Sequence, residues 1–450
     1  MISGFQQQHV RIAKHATSLA CIALYSAVSF AQVCPPLPDA VAASLTLGLA
    51  ESRIVNCNRE VLAAQRLSEA ANADRQTAGQ RPNPSLTLGA NNINPRTGIG
   101  SGPLRDKTID SSVRVDQLIE RGDKGSLREQ QADANIRATD ADLSEIQRQQ
   151  RVQVRTLFFE LAYQQERIEQ MRSFAELTKA NQSTAEKRFA AGDLAEIEAS
   201  RFRLDAIRSA NDVRAAETDL ARSSADLARA IAADGQAVLL KVMAPTNPPL
   251  PAAVSLTSQP PATADRADIA AAKHRVSAAE TARALAKAIS TRDVSVGAQF
   301  DRWPVSGSNS QGTGNSLGFS LTIPLFVRHA NEGEARRASV DLDAARDLLR
   351  RLEVQAQVEQ RLAHDSWSAS ALRLTQLESE LLPVARRIAN AAEFAYSKRA
   401  ISVIELLDAR RNLKSAELDV ALARADAGKA WAAWAAATET YPTRSSGTTP

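Results

Sequence analysis

The sequence predicts a mainly α-helical chain that also carries four short strands able to enter a membrane, laid out as one structural unit written twice. Three observations lead there. An export signal opens the chain and no apolar span follows it, landmarks recur at a fixed offset, and a heptad-like apolar seam runs along helices too long for a globular domain.

Arg11 and Lys14 precede an apolar run, 16–30, and Ser29-Phe30-Ala31 offers small residues where a signal peptidase cuts. This layout predicts a signal peptide over 1–31 and a mature chain from Gln32. A membrane-spanning helix needs ~20 apolar residues, and no later stretch supplies them. Such an exported chain enters a membrane only as strands. Strands do so only as a closed barrel, because lipid leaves an open sheet edge unsatisfied. The formal net charge of +4 includes Arg11 and Lys14, and so small a surplus gives no nucleic-acid footprint. Of the three cysteines, Cys21 leaves with the signal. Cys34 and Cys57 either pair in an oxidising compartment or stay as two independent thiols.

The repeat is read from several kinds of landmark. Gly89 closes Arg-Pro-Asn-Pro-Ser-Leu-Thr-Leu-Gly and Gly297 closes Arg-Asp-Val-Ser-Val-Gly, an offset of 208. The same offset pairs Gly125 with Gly333, Arg128 with Arg336, Asp133 with Asp341, and Val113 and Val115 with Leu321 and Ile323. Further on, Phe189 pairs with Tyr396 and Ile197 with Ile404 at 207. The first repeat is assigned to 32–243 and the second to 264–441, separated by a proline-rich connector, 244–263. A Ser/Thr/Gly/Pro tail, 442–450, is expected to be disordered.

Each repeat runs in the same order. A first helix is expected over 45–77 and 264–290. A strand follows, about 84–92 and 293–301, then a polar loop, 93–109 and 304–316, then a returning strand, about 110–118 and 317–326. The returning strands alternate. Val113 and Val115 share one face and Arg114 and Asp116 the other, and Phe319, Leu321 and Ile323 oppose Ser320 and Thr322 in the same way. Two long helices complete each repeat, about 127–188 and 194–233, then 334–397 and 402–436. At 1.5 Å per residue the longest reach ~90 Å. Val154, Leu157, Leu161, Ile168 and Met171 form a seam interrupted at Gln164, which reads as packing. Pro383 falls inside the second long helix and is expected to bend it or loosen a turn.

Four strands cannot close around a pore, whereas three chains supply twelve. The expected product is a trimer with one 12-stranded membrane barrel and a long α-helical barrel below it. The order helix, strand, loop, strand, long helix, helix, written twice, resembles the TolC-like outer-membrane efflux factors over nearly the whole mature chain. Leu45-Thr-Leu-Gly-Leu-Ala resembles their first helix, Pro324-Leu325-Phe326 with Gly333 their strand-to-helix junction, and Phe189-Ala-Ala-Gly192 their turn between long helices. The resemblance implies an outer-membrane channel subunit with a large periplasmic portion and no enzymatic activity. It also implies a periplasmic adaptor and an inner-membrane proton-driven pump as partners. Some relatives are lipid-anchored through an N-terminal cysteine, for which Ala31-Gln32-Val33-Cys34 is a poor lipobox.

A finer resemblance is to the CzcC-type heavy-metal-cation efflux subfamily. Gln117-Leu-Ile-Glu120-Arg-Gly122-Asp-Lys124 is similar to its Gln-x-Ile-Glu-x-Gly-Gly-Lys, with Asp123 in place of a glycine. It implies metal cations as cargo. The residues themselves offer no metal site, since His274, His329 and His364 lack ligand-like spacing to cysteines or acids. No phosphate loop, nucleophile elbow or cofactor motif is present in the sequence. A drug or type I protein-secretion duct of the same fold is the alternative. A periplasmic adaptor or a coiled-coil structural protein is the alternative of another class.

The resemblance also implies where a gate lies: at the turns between paired helices, 190–198 and 397–405. Glu405 and Asp408 match two acidic residues that ring the family's constriction, and their i, i+3 spacing puts both on one helix face. Their alternative is a solvated face or an ion pair with Arg410 or Arg411. Tyr396 and Glu198 match a tyrosine and an acid that bond across helices, while Ile401 stands where the family has an arginine. Lys398 or Arg399 would supply the missing contact. Ala191 and Gly192 match the adaptor-contacting tip, with Lys398 and Arg399 as the counterparts in the second tip.

Overall fold

The computed structural model describes residues 34–38, 42, 44–91, 93, 109–233, 240–243, 266–303, 314–439 and 441. The signal peptide, the connector, the tail and most of both polar loops lie outside the described residues. Residues 36–450 form one unit, distinct from 1–35, and the fold of this larger unit follows.

Two short helices come first, α1 (Leu47–Cys57) and α2 (Arg59–Ala78). The sequence predicts one helix here, and Asn58 is what divides it. Its backbone is extended, and its side-chain oxygen accepts from the amides of Glu60 and Val61, so it caps α2 while closing α1. Strands β1 (Ser85–Asn91) and β2 (Asp110–Ile119) follow, then helices α3 (Lys124–Ala190) and α4 (Glu196–Ala230). At the α-helical rise, the 67 residues of α3 span ~100 Å.

The second half repeats the order. Helix α5 (Ala267–Ala288) leads to β3 (Val294–Trp303) and β4 (Gly314–Thr322). Helix α6 (Glu332–Gln376) then runs through a π-helical turn (Leu377–Leu381) into α7 (Leu382–Ser397), and α8 (Val403–Ala437) returns. The π turn lies immediately before Pro383. Proline cannot donate to the preceding turn and its ring crowds the carbonyl four residues back, so the widened turn absorbs it without ending the helix. Arg424 of α8 secures this turn by donating to Glu378 at 2.7 Å, and it also holds Glu166 of α3.

The repeat is visible in the backbone. Asp123 and Asn331, 208 apart, both adopt left-handed conformations at the starts of α3 and α6. Gly192 and Arg399, 207 apart, are left-handed just past the ends of α3 and α7. At both tips an amide bonds back five residues, Asp193 to Arg188 and Ala400 to Ala395, each at 2.9 Å, which closes the helix with the same C-terminal turn.

The four strands form one antiparallel sheet in the order β1-β2-β3-β4. Helix α3 packs against α2, α4, α5 and α8, and α6 against α5 and α8. The main core gathers where α1, α3 and the end of α4 meet, around Ile54, Val154, Phe158, Leu161, Leu227 and Ile231. There α8 comes so close to α3 that a side chain at Gly428 would collide with the ring of Phe159. No described helix is long and apolar enough to cross a membrane.

Candidate functional site

Three regions carry the functional geometry: the sheet, the junction between sheet and long helices, and the helix tips.

The register gives the sheet two opposite faces. Leu86 pairs with Val115, Val115 with Ala298 and Ala298 with Phe319, while Leu88, Val113, Phe300 and Leu317 form the next row. These apolar side chains are exposed, Phe319 at 84 %. The rows between them are polar: Ser85, Asp116, Gly297 and Ser320, then Thr87, Arg114, Gln299 and Gly318. On this polar face Arg114 holds Asp116 at 2.7 Å and donates to Ser320 at 3.0 Å. A continuous exposed apolar face with a polar reverse is costly in water and suits a sheet with lipid on one side and water on the other.

The first junction is built by the segment 117–124. The Gln117 amide donates to the Pro82 carbonyl at 2.9 Å. Arg128 forms a two-pronged pair with Glu120 at 2.7 and 2.6 Å. The buried Lys124 ammonium donates to the Thr291 carbonyl and to Asp293, both at 2.8 Å, and the Arg121 amide donates to the same Asp293 oxygen at 2.9 Å. Hydrogen bonding to Arg128 holds the Glu120 carboxyl below its ordinary range. Burial works against ionisation of Asp293, but Lys124 and the Arg121 amide outweigh it and lower its pKa. Gly122 and Asp123 are successive left-handed residues, with φ of 78° and 56°. At Gly122 a side chain would also press on Thr291, so glycine is required there. At Asp123 the glycine-to-aspartate departure is tolerated because Asp and Asn accept this conformation best among non-glycine residues. The motif is therefore a knuckle that fixes the strand of one repeat to the strand entry of the other.

At the tips, Ala185, Phe202, Val403 and Leu407 pack with Leu194 and Tyr396 at their margin, so the two helix turns support each other. Glu405 is exposed and is the N3 residue of a capping box. Its carboxylate accepts from the Ser402 amide at 2.8 Å, and its own amide donates to the Ser402 hydroxyl. Asp408 is exposed on the same helix face and lies 3.6 Å from Arg411. Arg411 also donates to Asp205 of α4 at 2.9 Å, which links α4 to α8. Arg410 pairs with Glu393 of α7 instead. Ala191, Gly192, Lys398 and Arg399 are all exposed.

Tyr396 is met from the other tip. Its hydroxyl meets the guanidinium of Arg188 at 3.4 Å, and the described contacts contain no bond to Glu198, which is half-buried near the start of α4. Arg188 therefore brings a guanidinium to Tyr396 from the neighbouring turn. Lys398, suggested as a cross-tip contact, stacks on Phe394 of its own helix, 5.6 Å from the ring centre. Arg188 and Asp205 escape the sequence reading, whereas Arg411 is one of the two arginines it offered as an ion-pair partner for the acids of α8. Asp205 does have a local signal, since it is a carboxylate on the apolar side of α4 beside Phe202 and Ala206, and both its neighbours and itself are buried. Cys34 and Cys57 are each disulfide-bonded. His274 has its pKa lowered, by partial burial first and by Arg137 and Lys273 second.

A two-faced four-stranded sheet joined by stiff knuckles to ~100 Å helices defines a fold, the TolC-like one. Solved structures agree on the fold. The outer-membrane channel OprN superposes with a TM-score of 0.72 at 20% identity, covering 87% of this chain and 89% of its own. The channel CusC gives 0.71 at 14%, covering 88% and 92%. In sequence, residues 260–438 match the outer membrane efflux protein family. The chain is also 24% identical over 390 residues to the cobalt-zinc-cadmium resistance protein CzcC of Cupriavidus metallidurans, covering 85% of this chain and 87% of that protein. The second half of the chain thus carries an outer membrane efflux protein domain, and the chain as a whole has the fold of efflux channels, which are conduits and not enzymes.

Proposed function

We propose that three copies of the chain close a twelve-stranded barrel in the outer membrane, continue it into the periplasm as a tube of long helices, and conduct heavy-metal cations outward. The two-faced sheet supports this most directly. Its exposed apolar rows suit lipid and its polar rows suit a water-filled lumen, but four strands are too few to enclose one. The name of the CzcC relative, a cobalt-zinc-cadmium resistance protein, favours divalent metal cations as cargo. A periplasmic adaptor and a proton-driven inner-membrane pump are the partners of such a duct. The exposed Ala191, Gly192, Lys398 and Arg399 are the natural adaptor contacts. Pairing of Cys34 with Cys57 ties the N-terminal segment to α1.

Glu405 and Asp408 are the proposed periplasmic constriction. Three copies set six carboxylates near one axis, and such a ring attracts cations and repels anions. Its test is a double substitution, Glu405→Gln with Asp408→Asn. Glutamine at N3 can keep the capping box while the charge is removed. In planar-bilayer recordings the parent should be blocked by divalent cations from the periplasmic side, and the variant should lose both the block and part of the cation preference. Unchanged block would make these two residues an ordinary solvated helix face. For the cargo, a deletion strain should regain growth in cobalt, zinc or cadmium on complementation. Regained drug tolerance without metal tolerance would assign the duct to drugs.

A further inference from the structure

Just beyond Glu405 and Asp408, helix α8 carries three cations, Arg410, Arg411 and Lys414. On an isolated helix an arginine three residues after an aspartate pairs with it and offsets its charge. Here each cation is held by another helix. Arg410 donates to Glu393 of α7 at 3.0 Å, Arg411 to Asp205 of α4 at 2.9 Å, and Lys414 to Asp212 of α4 at 2.8 Å. Asp408 lies 3.6 Å from Arg411, beyond hydrogen-bond range, and its side chain is 61 % exposed. The described contacts of the Glu405 carboxylate are those of its capping box.

Of the three acids that hold these cations, Asp205 stands apart. The side chains of Glu393 and Asp212 are about half exposed, whereas that of Asp205 is 6 % exposed. It lies on α4 between the buried Phe202 and Ser209. Its Oδ1 accepts from Arg411, and its Oδ2 has no hydrogen-bond partner among the described residues. A carboxylate withdrawn from water is costly unless a cation compensates it, and Arg411 is the described cation that reaches this one. The bond is therefore hard to trade for one to the exposed Asp408. Packing alone favours a neutral residue at such a position, so the buried charge calls for another task.

That task follows from counting charges. Asp205 and Asp408 flank the single guanidinium of Arg411, so two anions and one cation leave the triad negative. With a neutral residue at 205, the guanidinium belongs to Asp408 alone and the negative charge vanishes. In the proposed trimer the same loss recurs three times around one axis, where the net charge of a ring sets its attraction for ions.

We propose that Asp205 sets the cation preference of the conduit: by holding and neutralising Arg411, it leaves the Asp408 carboxylate available to permeating divalent cations. Asp205 acts through Arg411 and touches no cargo, so it is a positioning residue. This role rests on the constriction proposed above and names the residue of another helix that fixes its charge.

The experiment is block by zinc chloride added from the periplasmic side, recorded in planar bilayers with the full-length protein. Asp205→Asn keeps the shape of the side chain and should weaken the block roughly fivefold, because the triad becomes neutral. Asp205→Asn with Arg411→Gln should restore the parental block, because the triad is negative again. A merely structural role for Asp205 predicts no such rescue, and a double variant as weak as the single one overturns the proposal. So does a parental block in Asp205→Asn alone. If Asp205→Asn fails to assemble, Arg411→Gln decides: a block equal to or stronger than the parental one is expected, and a weaker block overturns the proposal. A parent that zinc does not block, or a parental block in Glu405→Gln with Asp408→Asn, overturns the constriction itself and this role with it, a distinct result.

Discussion

The two strand-to-helix junctions share a backbone but differ in what they hold. At the first, Lys124, Glu120 and Arg121 are all engaged with residues of the same chain, and the lysine is buried. At the second, Glu332 and Glu334 are exposed, and the Glu332 carboxylate accepts from the amide of Ala330 in its own turn. Equivalent geometry with such unequal saturation shows that one junction completes itself within the chain while the other presents its groups outward. The tips show a smaller version of the same contrast, with Gly192 at one left-handed position and Arg399 at the other.

The largest expected difference between the junctions follows from removing their central charges. Lys124→Met strips Asp293 of its cation in a partly buried site and should destabilise the protein by about 2 kcal/mol. Glu332→Gln removes an exposed charge and should leave the stability of the chain nearly unchanged, with no loss of association. Thermal melting of the detergent-solubilised assembly, run beside a measurement of its mass, separates the two effects. Equal losses of melting temperature with no change in association would erase the contrast.

Acid should also divide them. Glu120 and Asp293 have lowered pKa values in the folded state, so their contribution is complete above the unfolded carboxylate range and disappears as pH falls through the folded values. The first junction should therefore loosen only below about pH 4. Hydrogen exchange at residues 120–128 at successive pH values should show protection constant from neutrality to that point and lost below it. Loss near pH 6 would contradict the assignment.

The smallest effect belongs to the tips. Gly192→Ala adds a methyl group at φ 82° in open space, so the cost is backbone strain alone, about 1 kcal/mol. Arg399→Gly relieves strain of the same kind at φ 58° and should stabilise the second tip by a similar or smaller amount. Opposite shifts in the local exchange of amides 188–193 and 395–400 would sharpen the comparison, and shifts of the same sign would break it.

Much of the fold is legible in the sequence because its signals are local. The alternation at Val113 to Asp116, the helical seam from Val154 to Met171 and the fixed offset each need only neighbours along the chain. The S-x-x-E of Ser402 and Glu405 is equally local and announces a capping box, which gives Glu405 a structural task beside any role in a constriction. The break at Asn58 is less legible. An asparagine is tolerated inside a helix, and what favours a cap here is a distant partner: the Asn58 amide also donates to the Ala230 carbonyl and to Gln150. The partner of Tyr396 is not legible at all. Arg188 meets it from a helix that ends some two hundred residues earlier, and the packing of the tip cluster, with Phe202 against the tyrosine ring, brings the turns together.

The sequence by itself determined the periodicities: which residues alternate, which repeat in heptads, and which recur one repeat later. These follow from backbone geometry, where side-chain direction depends on residue number alone. Only the tertiary structure decided the partners of the charged groups. Lys124 found Asp293, Arg411 found Asp205, and Arg424 joined Glu166 to Glu378 across three elements. An arginine or lysine has many acids within reach of its long side chain, and the choice among them is set by which helices pack together, a property of the folded chain that no single stretch of residues contains.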